Sequence, residues 1–230
     1  MSYLITAHII QDEPDVNRLD ELPASIGWRV YHHQSADVYL IDAYRAAKPV
    51  DYPFQTPVPA TDIPLELSEN LKSLEDLYQY LYQHDAANSF KKSYINFALL
   101  LNQLLELPVL SFISDDEEWD FAVTVQDGFV ERLKCRCDDL IVDYNGGQTS
   151  IQPLVPEFEE DAEFLTDLGE LRKAVPGVKI ADRNVPWEVD LHAIVIEEWK
   201  RFADTESLIL GMGSFDPPED ESDWRLIRGS

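Results

Sequence analysis

The sequence predicts an α+β protein in which a mixed, mostly antiparallel sheet or sheets pack with four main helices. Two periodicities support this class. Apolar residues recur every three or four positions in four long segments, as in helices with one buried face. Shorter segments rich in β-branched and aromatic residues lie between turn residues, as strands do. The four helices are predicted at about residues 67–83, 90–107, 157–173 and 187–202.

The stretch Phe90–Lys134 contains the clearest succession of elements. Its first part, Phe90–Leu107, is apolar over most of a helix circumference, so this helix is predicted to be buried. Pro108 ends the helix, because the residue before a proline is disfavoured in the α region. Val109–Ile113 then reads as a buried strand, and a β-hairpin follows it.

The register of that hairpin depends on the length of its loop. A three-residue loop, Gln126–Gly128, places large apolar side chains together on one face, with the pairs Val125–Phe129, Val123–Glu131 and Phe121–Leu133. A two-residue loop of Asp127 and Gly128 would bring Arg132 and Lys134 opposite those apolar residues, so the first register is predicted. Glu131 then lies either at the sheet edge in water or on an apolar face as an acid or base with a raised pKa.

Four regions are predicted along the chain. Residues 1–47 form a strand–helix–strand–strand subdomain, and residues 48–64, with five prolines among aromatic residues, form a connection that lies against the body. Residues 65–215 form the main α+β domain, and residues 216–230 form an acidic tail. A single compact domain over the whole chain is the alternative.

Charge is the most unusual property of this sequence. Its 230 residues include 18 basic and 44 acidic residues, for a formal net charge of −26. The field of such a protein repels nucleic acid and anionic membrane, and it attracts basic proteins. The sequence therefore predicts a basic protein partner and neither nucleic-acid nor membrane binding. Charge that serves solubility alone is the competing interpretation.

Cysteine usage and hydropathy predict a cytoplasmic protein. The two cysteines, Cys135 and Cys137, are separated by one residue and have no further cysteine with which to build a disulfide framework. They also lack the neighbouring ligands that zinc requires. We expect reduced thiols. No apolar run approaches the roughly 18 residues of a membrane span, and no basic leader precedes a cleavage site.

Motifs for chemistry are scarce. His32 and His33 are adjacent in a strand and face opposite sides, so they cannot chelate one ion together. Glu188 and His192 share a helix face but provide only half of a metal site. No nucleotide-binding, nucleophile-elbow or zinc-protease signature is present. The sequence thus predicts no catalytic residue, no metal site and no cofactor.

Acidic residues cluster with aromatic residues at three places. These clusters combine contact area with charges that pair with Lys or Arg, as an interface needs. Solvated segments whose aromatic residue is tucked under as an anchor are the alternative interpretation. The predicted partner-binding residues are Asp115, Asp116, Glu117, Glu118, Trp119 and Asp120, then Glu157, Phe158, Glu159 and Glu160, and finally Trp224, which follows the acidic segment 219–223.

Two classes of function fit these observations. The first is an acidic cytoplasmic interaction protein that binds a basic protein surface, most concretely an inhibitor or immunity protein that neutralises a cationic toxin or nuclease. A mimic of nucleic-acid charge is a variant of it. The second is an enzyme or small-ligand protein with a carboxylate-lined, cation-dependent pocket to which Glu131 or Asp143 contributes.

Overall fold

The computed structural model describes eleven segments of the chain. These are residues 4–24, 26–34, 37–45, 87–115, 120–137, 140–146, 148–155, 179–180, 185–186, 193–203 and 224–229. The predicted connection at 48–64 lies outside these segments, so the predicted domain boundary stays a prediction.

The described residues form strands and three helical segments. The strands are β1 (Leu4–Ile10), β2 (Ile26–His33), β3 (Val38–Arg45), β4 (Val109–Asp115), β5 (Asp120–Gln126), β6 (Phe129–Cys137), β7 (Leu140–Asn145), β8 (Gln148–Val155), β9 (Lys179–Ile180), β10 (Val185–Pro186) and β11 (Trp224–Gly229). The helical segments are a 3₁₀ helix (Val16–Glu21), α1 (Ala87–Leu105) and α2 (Ala193–Ala203).

One large antiparallel sheet dominates this structure. Nine of the described strands follow one another in the order β8-β7-β6-β5-β4-β1-β3-β2-β11. The two-residue strands β9 and β10 pair parallel with β8. Strand β1 joins the two halves, because it pairs antiparallel with β3 on one side and with β4 on the other. Strands from the first 45 residues and strands after residue 108 therefore belong to the same sheet.

The predicted fold with four main helices is wrong. The described part of the chain is strand-rich, and its only helical segments are α1, α2 and the short 3₁₀ helix. The helices predicted at 67–83 and 157–173 lie outside the described residues. Helical periodicity is a local sequence pattern, but the sheet forms by pairing between segments that are distant in the sequence. The periodicity therefore did not reveal that the sheet dominates the fold. Residues 224–229, which the sequence places in the acidic tail, pair with β2 as β11.

Helices cover both faces of the sheet. Alternate residues of a strand face opposite sides, so strands β1 to β5 contribute to two apolar cores. On one side, Leu101 of α1 packs in a core with Val123 and Leu133. On the other side, Trp199 of α2 is fully buried in a core with Leu110 and Phe112. No helix in the described segments is long and apolar enough to cross a membrane.

The β5–β6 hairpin corrects the predicted register. Its turn contains two residues, Asp127 and Gly128, with φ of +51° and +77°, and Gln126 pairs directly with Phe129. These values are those of a type I′ turn, whose twist matches that of the flanking strands. Asp-Gly is favoured in such a turn because both of its central residues have positive φ. The predicted three-residue loop is therefore wrong.

A β-bulge at Glu131 explains how the apolar face survives the shorter turn. Val125 pairs with Val130, and Glu131 is then the extra residue of β6. Beyond the bulge, Val123 pairs with Leu133 and Phe121 with Cys135, and all four side chains are buried. Glu131 itself is exposed. The bulge thus restores apolar pairing that a regular two-residue hairpin would have lost.

Truncation of Leu101 tests the burial of α1. Leu101 has no exposed surface, so Leu101→Ala removes apolar contacts and leaves a cavity. We expect a loss of about 2–5 kcal/mol in the free energy of unfolding, measured by urea denaturation. Gln103→Ala, at an exposed position of the same helix, is the control and is expected to change stability little. Equal stability for the two variants would contradict the buried position of α1.

Candidate functional site

The predicted acidic segment 115–120 falls between β4 and β5. Asp115 ends β4 and pairs with Leu4, and Asp120 begins β5 and pairs with Ser114. The strand pairing thus brings Asp115 and Asp120 to the same end of the sheet. Residues 116–119 and the predicted residues 157–160 lie outside the described segments.

Trp224 lies at the opposite end of the sheet from that segment. It begins β11 and pairs with His33, the last residue of β2. His33 in turn pairs with Val38, the first residue of β3, at the same end of the sheet as Trp224. Leu4 and Asp115 pair with each other at the opposite end of the sheet. The length of the strands therefore separates Trp224 from Asp115 and Asp120, the described members of two predicted clusters.

The end of the sheet nearer to Trp224 carries a row of exposed acidic residues. Each of four neighbouring strands, β5, β4, β1 and β3, has one such residue beside it at this end. Asp127 follows β5, and Glu106 precedes β4. Asp12 follows β1, and Asp37 precedes β3. We name these four residues the acidic row.

Strand spacing determines how these charges act together. Neighbouring strands lie about 4.8 Å apart, so the acidic row spans roughly 15 Å. The four strands that these residues flank thus span about two screening lengths of roughly 8 Å at physiological ionic strength. Glu13, also exposed, adds a further carboxylate next to Asp12. The fields of Asp12, Asp37 and Asp127 therefore favour a cationic ligand, whereas Arg18 offsets the charge of Glu106.

At one end of the row, Asp37 is held next to a histidine and a tyrosine. The Nε2 atom of His32 lies 2.9 Å from Oδ1 of Asp37. The His32 ring stacks on Tyr39 with 4.6 Å between ring centroids. Burial, with smaller contributions from the carboxylates of Glu13 and Asp37, raises the pKa of Tyr39. Tyr39 thus remains protonated at neutral pH. The carboxylates of Glu13 and Asp37 both act on its hydroxyl group.

Glu106 of the row has a local cation. The Nη1 atom of Arg18 lies 2.8 Å from Oε1 of Glu106 and also donates to the carbonyl of Leu104 at 2.9 Å. The hydrogen bond with Glu106 is the main cause that raises the pKa of Arg18. Both side chains are substantially exposed, so this pair contributes little to stability.

Asn102 fixes the position of the row at its other end. This buried side chain donates from Nδ2 to the carbonyl of Leu107 and accepts the N–H of Gly128 at Oδ1, both at 2.7 Å. It therefore ties the end of α1 to the β5–β6 turn. Phe129 follows that turn and is 53% exposed, so a rigid turn presents an aromatic ring next to Asp127.

A buried serine–histidine pair has no role in this surface. His8 Nδ1 lies 2.6 Å from Ser111 Oγ, and the two residues are opposite each other on β1 and β4. Burial lowers the pKa of His8 to about 3, and its ring meets Phe97 edge-on at 4.8 Å. Ser111 has no exposed surface. The pair is a neutral, polar contact within the core and not an accessible nucleophile.

Some carboxylates are used inside the protein. Glu198 of α2 is buried and accepts from Arg132 Nε at 2.7 Å. Glu197 accepts from Lys134 at 2.5 Å, and this hydrogen bond is the main cause that lowers the pKa of Glu197. Asp143 lies 3.6 Å from Arg132. The pairs of Glu198 and Glu197 attach α2 to the sheet, and the pair of Asp143 joins β7 to β6.

The second functional hypothesis named Glu131 and Asp143 as pocket residues. Glu131 is exposed on the bulge, and Asp143 lies next to Arg132. In the described segments, no group of three or more His, Cys, Asp or Glu side chains is arranged to hold a metal ion.

Comparisons with known proteins add no family. No protein-family model, no curated protein and no solved structure matches this chain.

Sequence reasoning missed the acidic row and Phe129. Every member of the row lies beside a turn or at a helix end, where a single acidic residue is an ordinary solvated residue. Only strand order brings them together, because they are far apart along the chain. Phe129 was assigned to an apolar pair with Val125, and the shorter turn leaves it exposed.

The His8 pair makes stability depend on pH. Its folded-state pKa of about 3 lies below the unfolded value of 6.5, so between these values the unfolded chain binds a proton that the folded chain does not. Stability therefore falls as pH decreases from 6.5 towards 3, by at most about 1.4 kcal/mol per pH unit from this residue. Urea denaturation of wild type and His8→Gln across this range measures the effect. We expect a shallower slope for the variant, and identical slopes would contradict the assignment.

The pair between Arg132 and Glu198 can be tested with a double-mutant cycle. Arg132→Met leaves the buried Glu198 carboxylate without its main cation, and we expect a loss of about 3–5 kcal/mol in stability. Changing both residues to Met removes both charges and is expected to recover most of that loss. Unfolding free energies of the wild type, Arg132→Met, Glu198→Met and the double variant provide the measurement. A double variant as unstable as Arg132→Met would show that the pairing is not responsible.

Proposed function

We propose that this protein binds a basic protein surface through the acidic row and the adjacent Phe129. The observation that supports this proposal most directly is the position of exposed carboxylates beside four neighbouring strands at one end of the sheet. Carboxylates in such a row steer a cationic partner and pair with its Lys and Arg side chains. Phe129 supplies the apolar anchor that such an interface needs at its centre.

The structural rigidity of this end supports the proposal. Asn102 joins the end of α1 to the β5–β6 turn, so Asp127 and Phe129 are presented without a large ordering cost. A preordered surface loses less conformational entropy on binding than a loose loop does. The net charge of −26 adds long-range attraction for a cationic partner.

The most concrete form of this function is an inhibitor or immunity protein in the cytoplasm that neutralises a cationic toxin or nuclease. Such a protein covers the basic groove in which the target binds its own anionic substrate. The acidic segment 115–120, at the opposite end of the sheet, is the second candidate contact. Its distance from the acidic row allows the two contacts to be tested separately.

Two matched variants distinguish these contacts. The row variant carries Asp12→Asn, Asp37→Asn and Asp127→Asn, and the segment variant carries Asp116→Asn, Glu117→Gln and Glu118→Gln. Both remove three negative charges and introduce similar amide side chains. Asn also tolerates the positive φ of Asp127. Thermal melts of both variants are expected to stay close to that of the wild type.

The measurement is binding to, and inhibition of, a panel of basic nuclease and toxin domains at low and moderate salt. We expect the row variant to bind at least about tenfold more weakly than the segment variant, because close interfacial charge pairs are worth several kcal/mol. A loss confined to the segment variant would move the contact to residues 115–120. If neither variant affects binding to any basic domain, the proposed function is wrong.

A further inference from the structure

Strand β11 ends the described part of the sheet on one side. It pairs with β2 on one side, and no strand in the described part of the chain pairs with its other side. Leu226 and Ile227 in the middle of β11 are 54% and 47% exposed. An edge of this kind combines backbone groups available for hydrogen bonding with apolar surface, and is a template for a further strand.

A bulge and an arginine fix β11 in place. Ile227 is the extra residue between Leu226 and Arg228. The guanidinium of Arg228 binds Asp20 at 2.7 Å and Asn17 at 2.6 Å, and it lies 5.4 Å from the ring centroid of the buried Trp28. Arg228 is therefore occupied by contacts within the protein, whereas Arg225 is exposed.

Strands β2 and β11 carry only basic charges, and because Asp20 pairs with Arg228, the exposed charge on β11 is that of Arg225. The sequences of β2 and β11 contain three arginines, Arg29, Arg225 and Arg228, and no acidic residue. This is unusual in a chain with 44 acidic and 18 basic residues. Opposite charges across neighbouring strands stabilise their pairing, and like charges destabilise it. The edge thus matches an acidic strand.

Pairing of β11 with β11 of a second copy fits less well. An antiparallel pairing centred between Leu226 and Ile227 places Arg225 opposite Arg228 of the other copy. That arrangement places an arginine of each copy opposite an arginine of the other, and like charges in this position destabilise strand pairing. The arginines therefore disfavour self-association and leave an acidic strand of another protein as the better match.

We propose that the free edge of β11 binds an extended, acidic segment of a partner protein by strand addition. Backbone hydrogen bonds to β11 hold the segment. Leu226 and Ile227 contact its apolar side chains, and Arg225 pairs with one of its carboxylates. This site is separate from the acidic row and needs an occupant of the opposite charge, so the proposed function can fail while this inference holds.

The experiment uses the full chain and three synthetic peptides. The first peptide alternates glutamate and valine. The second alternates lysine and valine, and the third is the first peptide with alternate backbone amides N-methylated, which blocks a strand ladder. Binding is measured by fluorescence anisotropy, and the contact is located from the NMR shifts of the backbone amides of residues 225–229.

Two protein variants with the same charge change complete the design. Arg225→Glu replaces an attractive cross-strand pair by a repulsive one, and we expect it to weaken binding of the glutamate peptide about tenfold. Lys200→Glu, at an exposed position of α2, makes the same charge change away from the edge and is expected to change the affinity less than twofold.

The proposal is supported if the glutamate peptide shifts the β11 amides, the N-methylated and lysine peptides bind at least about tenfold more weakly, and only Arg225→Glu weakens binding. It is overturned if the glutamate peptide does not bind at millimolar concentration, or if N-methylation or Arg225→Glu has no effect. A dimer in solution with protected β11 amides also overturns it, because a second copy would then occupy the edge.

Discussion

The pairing of β1 between β3 and β4 is the constraint on which the rest of this structure depends. It joins the strands near the start of the chain to those after α1, and it sets the direction of each strand relative to the others. A shift of one residue would turn His8 away from Ser111 and move Ile10 out of the core around α1. The same pairing determines which connections meet at each end of the sheet. The acidic row is therefore a consequence of β1 and not of any local sequence feature.

Net charge alone did not reveal which carboxylates are available to a partner. Glu198 is buried in an ion pair with Arg132, whereas Asp20 and Glu106 are exposed carboxylates that already pair with Arg228 and Arg18. Members of the row such as Asp12 and Asp127 are exposed at a sheet end. Burial of an ion pair costs solvation free energy, which the interaction between the two charges must offset. An exposed carboxylate stays hydrated and can still pair with a cationic partner. The two populations have different roles, although a formal charge counts them equally.

Local sequence patterns predicted the individual elements better than their assembly. The predicted strand Val109–Ile113 lies within β4, and Pro108 follows the end of α1. The bulge at Glu131 could not be predicted, because it results from competition between the Asp127-Gly128 turn and apolar pairing farther along the strands. The acidic row has the same origin at a larger scale. Its members are ordinary turn residues until distant strands pair, so no segment of the sequence identifies the site.

The charge of the outer strands limits where a basic partner can bind the acidic row. Arg225 pairs with His32, and His32 contacts Asp37 at one end of the row. Arg225 is thus within about two strand spacings of Asp37, roughly 10 Å, and reduces its attraction for cations. Asp127 and Phe129 lie at the far end of the row and are free of this effect. The proposed contact is therefore centred on the β5–β6 turn, which Asn102 holds in place, and it does not involve β11.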